Sequence, residues 1–194
     1  MQIAFYFDQT RCTGCGACRV ACKDWHDIPA GPENWMRVLH TEEGRFPDVF
    51  VSYLVAPCYH CIDPVCVPAC PTHAISKRDE DGIVVVDSQS CLGNEQCDVK
   101  CLKACPYNVP QFGREPGAKM HKCDFCLDRW QQGKLPICIE ACPTRALDAG
   151  PLDELRARYG DIQEAHSFVY SHRTKPAIVF KPKRPGTPAQ QPAS

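Results

Sequence analysis

The stretch CTGCGACRVACK, Cys12 to Lys23, places cysteines at positions 12, 15, 18 and 22. Three further runs repeat that density. CYHCIDPVCVPACP carries Cys58, Cys61, Cys66 and Cys70; CLGNEQCDVKCLKACP carries Cys91, Cys97, Cys101 and Cys105; CDFCLDRWQQGKLPICIEACP carries Cys123, Cys126, Cys138 and Cys142. All 16 cysteines of the protein are thereby used. A cysteine-proline pair closes the last three runs, at Cys70-Pro71, Cys105-Pro106 and Cys142-Pro143, while the first closes as Cys22-Lys23.

A 4Fe-4S cluster is held by four soft thiolates, and a run of closely spaced cysteines with a fourth before proline is the bacterial ferredoxin pattern. In CTGCGAC, Gly14 and Gly16 let the backbone turn tightly enough for three thiols to face one point. In two-cluster ferredoxins the fourth cysteine of each run ligates the other cluster, so runs work in pairs. Four runs therefore imply two ferredoxin-like modules and four 4Fe-4S clusters, with runs one and four, and runs two and three, as natural partners. Zinc would suit Cys58 with Cys61, or Cys123 with Cys126, as half of a ribbon, yet a tetrahedral zinc site has no use for a third thiolate at Cys18. Disulfides belong to secreted proteins, and cysteines at this close spacing more often bind metal or do redox chemistry. His60 and His121 lie beside cysteines, but the cysteine count already closes, so they read as supporting or surface groups.

A net charge of -1 on 194 residues gives no reason to expect nucleic acid as a partner. Eighteen prolines and twelve glycines leave few long periodic segments. The clusters are expected to replace part of the core, and the protein without them to fold poorly. The longest apolar runs, such as Ile83 to Val86, are strand-length, far short of the roughly 18 residues of a bilayer span, so membrane association would need a partner. MQIAFYFDQTRC shows no basic start, apolar core and small-residue cleavage site, so no secretory signal is expected.

Locally, IAFYFD reads as a strand into the first loop, and Arg19 to Trp25 as a helix ended by Pro29 and Pro32. The cysteine-free bridge to Pro57 predicts a turn at Glu43-Gly44 and a strand over VFVSYLV. AISKRDEDGIVVVD predicts a hairpin turning at Asp81-Gly82. KCDFCLDRWQQGK predicts a helix ending at Gly133, and PLDELRARYG a second with Pro151 at its start and Gly160 at its end. KPKRPGTPAQQPAS reads as a mobile, polar tail. The expected fold is α+β: two ferredoxin-like modules in pseudo-repeat, with small hairpins and short helices around the clusters. Residues 1–50 with 107–150 would form the first module, 51–106 an inserted second module, and 151–194 a C-terminal helix and docking tail.

With these motifs quoted, the sequence resembles the iron-sulfur subunit of the dimethyl sulfoxide reductase family of molybdopterin oxidoreductases. FYFDQTRCTGCGACRVACKD is similar to that family's first run, CYHCIDPVCVPACPTHAISKRDEDGIVVVD to its second, and KMHKCDFCLDRWQQGKLPICIEACPTRALDAGPLDELR to its fourth; TKPAIVFKP is similar to its C-terminus. The resemblance implies an electron wire without substrate chemistry of its own, between a quinol-oxidising membrane anchor and a catalytic subunit with a molybdenum or tungsten pterin. It implies clusters on Cys12, Cys15, Cys18 and Cys142; on Cys123, Cys126, Cys138 and Cys22; on Cys58, Cys61, Cys66 and Cys105; and on Cys91, Cys97, Cys101 and Cys70. Run three departs from the family pattern, being longer and having Asn94 where a cysteine is expected. Two readings stand: Cys105 crosses over and every cysteine is used, which is preferred, or Cys101 crosses over, Cys105 is spare and the cluster is altered. Lys23 and Lys122 border ligands and read either as groups that tune potentials or as solvent-facing lysines. Two other functions are open to the same cysteine pattern, a soluble molybdenum or tungsten hydroxylase or transhydroxylase subunit and a free multi-cluster ferredoxin. In this family any twin-arginine signal belongs to the catalytic partner, so either face of the membrane is compatible with this sequence, and the terminal substrate belongs to that partner's pocket.

Overall fold

The computed structural model describes residues 1–185; the end of the expected mobile tail, residues 186–194, lies outside them. β1 (Ile3–Asp8) is buried along its whole length. Its side chains alternate between two apolar clusters, as a strand's must: Ile3, Phe5 and Phe7 enter the large core with Phe125 and Phe180, while Ala4 and Tyr6 meet Leu152, Leu155 and Val179 on the other face. The strand is covered on both faces because it lies at the centre of a three-stranded sheet, with β8 (Leu147–Pro151) antiparallel on one edge and β9 (Ile178–Lys181) parallel on the other.

α1 (Ala17–Trp25) begins two residues before the expected start and stops at His26, ahead of Pro29. β2 (Arg37–Arg45) and β3 (Asp48–Ala56) pair from Arg37↔Ala56 to Arg45↔Asp48, so the cysteine-free bridge is one long hairpin. Its turn is not at Glu43-Gly44, which are ladder residues facing Phe50 and Val49, but at Phe46-Pro47. Gly44 misled the expectation because it does need freedom: its φ is +88°, and a Cβ there would stand 2.2 Å from the Asp48 carbonyl oxygen.

α2 (Cys66–Ala69) leads to a small hairpin of β4 (Ile75–Lys77) and β5 (Val84–Val86). Asp81 closes its turn by accepting from the Ile83 N–H at 3.0 Å, while Gly82 takes φ +73°. α3 (Lys100–Ala104) follows, then β6 (Gln111–Phe112) paired with β7 (Met120–His121). Met120 packs with Ile75, Val84, Cys91 and Cys101, so this third hairpin lies against runs two and three.

The helix expected over KCDFCLDRWQQGK is reduced to α4 (Leu127–Trp130). Phe125 and Cys126 take φ +65° and +48°, a left-handed turn that no helix tolerates, and the backbone leaves at Gly133 with φ +72° as expected. α5 (Ile137–Glu140) carries Cys138. α6 (Leu152–Tyr159) matches its signals, with Asp153 and Glu154 in the first turn, Arg156 and Arg158 in the last, and Gly160 at φ +88° as the stop. It covers the second face of β1, where Tyr159 stacks on Tyr6 at 3.7 Å between centroids.

Candidate metal centres

The sixteen thiols gather into four groups, and every group takes three members from one run and one from another. Cys12, Cys15, Cys18 and Cys142 line one cavity. The loop before α1 is held there by close packing: Gly14 sits at φ +70° and a Cβ on it would meet the Tyr53 ring at 2.2 Å. The Ala146 N–H donates to Cys142 Sγ at 3.3 Å. Burial, then the neighbouring Cys12 and Cys142, push the Cys18 thiol up to about 11.

Cys22 lies one turn further along α1, on the same face as Cys18, but belongs to the next group, with Cys123, Cys126 and Cys138. Burial and then Cys126 push the Cys22 thiol up to about 12. Cys123 and Cys138 stand well above the usual thiol range, for burial first and then for their proximity to Cys22 and to Cys126 with Cys22 respectively. Asp124 Oδ1 accepts the Cys126 N–H at 2.9 Å, and His26 Nε2 reaches Cys126 Sγ at 3.3 Å.

The third group, Cys58, Cys61, Cys66 and Cys105, lines a cavity closed by Tyr59, Val84, Met120 and Lys122. Burial, followed by Cys58, takes the Cys61 and Cys66 thiols up to about 12. Beside them stands the buried His60. Its Nδ1 accepts the Val84 N–H at 3.0 Å, which leaves the proton on Nε2, 3.9 Å from Cys123 Sγ in the neighbouring group.

Cys70, Cys91, Cys97 and Cys101 line the fourth cavity with Ile75, Val86, Phe112 and Met120. Cys66 opens α2 and Cys70 follows its end, so this helix, like α1, delivers one thiol to each of two groups. Burial acts to raise the Cys70 thiol, but hydrogen bonds from Thr72, Ala74 and Ile75 outweigh it and hold the thiol below its usual value. The Met120 N–H donates to Cys91 Sγ at 3.4 Å. Asn94 is not in this lining: its Nδ2 donates to the Glu115 carbonyl at 3.1 Å, and it ties the widened loop to the 113–118 segment.

The donor chemistry suits a 4Fe-4S cluster in each group. Four soft thiols converge, backbone N–H groups point at sulfur, and the three cavity linings contain no carboxylate or imidazole that would favour a harder ion. Thiols held this high bind metal with release of protons, so the metal drives their ionisation.

Comparisons with known proteins agree with this chemistry. A family profile described as a 4Fe-4S dicluster domain matches residues 49–152, and one described as a 4Fe-4S binding domain matches residues 4–24. The class is thus a 4Fe-4S protein with an α+β, ferredoxin-like fold. The iron-sulfur subunit of the anaerobic dimethyl sulfoxide reductase of Escherichia coli (strain K12) is 44% identical over 196 residues, covering 96% of this protein and 92% of that one. Its Haemophilus influenzae counterpart is 40% identical, covering 94% and 90%; "Protein NrfC" of Escherichia coli (strain K12) is 37% identical, covering 91% and 76%. The protein belongs to the iron-sulfur subunit family of the dimethyl sulfoxide reductases. Its function is electron transfer within an oxidoreductase complex.

Sequence reasoning missed several groups around the thiols. His26 had a signal, since it follows Cys22 by one helical turn and must share its face. Lys77 and Lys119 had none: their Nζ atoms donate to the carbonyls of Cys61 at 3.1 Å and Cys91 at 2.6 Å across hairpins. Lys23 bonds the carbonyls of Gly31 and Glu33, and His121 Nδ1 accepts from Trp35 at 2.6 Å. Of the two readings for Lys122, the solvent-facing one fails, because the residue is 3% exposed.

Proposed function

We propose that the protein is a non-catalytic relay of four 4Fe-4S clusters, ligated by Cys12, Cys15, Cys18 and Cys142; by Cys22, Cys123, Cys126 and Cys138; by Cys58, Cys61, Cys66 and Cys105; and by Cys70, Cys91, Cys97 and Cys101. The observation that carries this is the exchanged fourth thiol, which recurs in all four groups. When bound, each such cluster accepts and returns one electron. The cysteines hold every iron corner, so no position is left for a substrate, unlike catalytic metal sites with an open position. α1 links the first two groups through Cys18 and Cys22, α2 links the last two through Cys66 and Cys70, and Cys58 lies close enough to Cys123 to raise its thiol. The groups therefore succeed one another as a line. We read them as two ferredoxin-like modules, runs one with four and runs two with three, the inserted module reaching as far as Met120.

The likeness to the dimethyl sulfoxide reductase iron-sulfur subunits supports a catalytic partner with a molybdenum or tungsten pterin at one end of the line and a quinone-reactive membrane anchor at the other. Membrane association would come through those partners, since among the described residues no helix is long and apolar enough to cross a bilayer. The test is metal content after anaerobic isolation with whatever co-purifies. About 16 iron atoms per polypeptide with roughly one molybdenum or tungsten is expected. Iron near 12 would locate an altered site in run three, and about four zinc in place of iron would overturn the relay.

A further inference from the structure

Lys122 puts charge where charge is unfavourable. Both hydrogen bonds from its Nζ go to carbonyl oxygens, those of Val84 and of Cys123, the second at 2.9 Å. Among the described residues, no carboxylate oxygen lies within 4.0 Å of it. A buried ammonium with only neutral partners requires negative charge close by. The cavity it lines is that of Cys58, Cys61, Cys66 and Cys105, and it is the one charged side chain among the linings of the three cavities. Lys77 adds a second ammonium to the same group, bonded to the Cys61 and Ile62 carbonyls.

The adjacent group has the opposite surroundings. Asp124 lies between Cys123 and Cys126 in the sequence and binds the Cys126 N–H, and Asp128 follows, accepting from Trp25 Nε1 at 3.0 Å. Both carboxylates act against negative charge on Cys126. Two neighbouring thiol groups thus sit in fields of opposite sign, on either side of the Lys122–Cys123 peptide.

We propose that Lys122 is the counter-ion of the cluster held by Cys58, Cys61, Cys66 and Cys105, and makes it easier to reduce than its neighbour on Cys22, Cys123, Cys126 and Cys138. This rests on the four-cluster reading above. Reduction adds one electron and one negative charge; no bond forms or breaks. In the exchange across the boundary one site is oxidised by one electron and the other reduced by one, and no proton moves because Lys122 keeps its own. The ammonium stabilises the added charge, whereas Asp124 and Asp128 oppose it next door. An electron reaching the boundary therefore rests on the Cys58 side.

The test is an anaerobic redox titration of the cluster-loaded protein with its co-purifying partners, read by electron paramagnetic resonance. Lys122→Met keeps length and removes charge. It is expected to lower the midpoint of one cluster, the one lost in Cys105→Ser, with the others unmoved. Asp124→Asn keeps an acceptor for the Cys126 N–H and is expected to raise the midpoint of a different cluster. Unchanged midpoints in Lys122→Met overturn the proposal, as does movement of the same cluster in the same direction by both variants. Should Lys122→Met lose iron, Asp124→Asn decides: a rise at one cluster supports the opposed fields, and no shift overturns them. Iron analysis of the unaltered protein comes first, and absence of clusters there would defeat the relay reading itself.

Discussion

The loop that carries Cys12, Cys15 and Cys18 and the loop that carries Cys91, Cys97 and Cys101 solve one problem by different means. The first is compact and rests on a ring, with Gly14 against Tyr53. The second is wide and rests on backbone: Gly93 takes φ +91°, a Cβ there would stand 2.4 Å from the Gly117 carbonyl oxygen, and Asn94 bonds Glu115. Both nevertheless present three thiols to a cavity whose fourth thiol, Cys142 or Cys70, comes from another run. Loop spacing is thus the adjustable part of the design, and the cysteine that crosses over is the fixed part.

The harshest challenge to that comparison is to remove the metal. Iron chelation under anaerobic conditions is expected to abolish cooperative thermal unfolding in both regions, because buried thiols form much of the core and lose their only cross-link. Calorimetry before and after chelation checks it, and a retained transition would mean one region folds on its own apolar contacts. Next in size, Cys142→Ser and Cys70→Ser should each remove about four of roughly 16 irons, leaving the other region loaded. Equal losses would show the two crossing thiols to be equivalent, whereas a silent Cys70→Ser would revive the altered-cluster reading of run three. Smaller again, Gly93→Ala should lower the thermal midpoint more than Gly14→Ala. Each costs about 1–2 kcal/mol for left-handed backbone, but a carbonyl cannot swing aside as the edge of a Tyr53 ring can. The smallest effect is expected from Asn94→Ala, about 1 kcal/mol in stability from one lost hydrogen bond and no change in iron. Iron loss there would make Asn94 part of the metal site.

Where signals were local, the sequence was readable. Alternating apolar residues marked β1, Pro151 and Gly160 bracketed α6, and cysteine spacing picked out the four runs. Reading failed where conformation depended on distant contact. Glu43-Gly44 has turn composition, yet Gly44 needs its positive φ because the opposite strand comes so close, and the backbone reverses two residues later. The stretch after Lys122 has helical composition until Phe125 and Cys126 are turned left-handed to aim thiols inward. Lys122 itself looks like any surface lysine, and nothing in its neighbours shows that Val84, from another hairpin, will cover it.

The pairing of β1 has a consequence for how the molecule is made. Its partner strands begin at Leu147 and Ile178, so Ile3 to Asp8 must leave the ribosome unpaired and wait for nearly the whole polypeptide. Runs two and three need no such delay, since Cys58 and Cys105 emerge within one stretch of sequence. Synthesis therefore imposes an order in which the middle of the protein can close first and its two ends last, and a truncated product would keep its centre while exposing the sticky strand at its start.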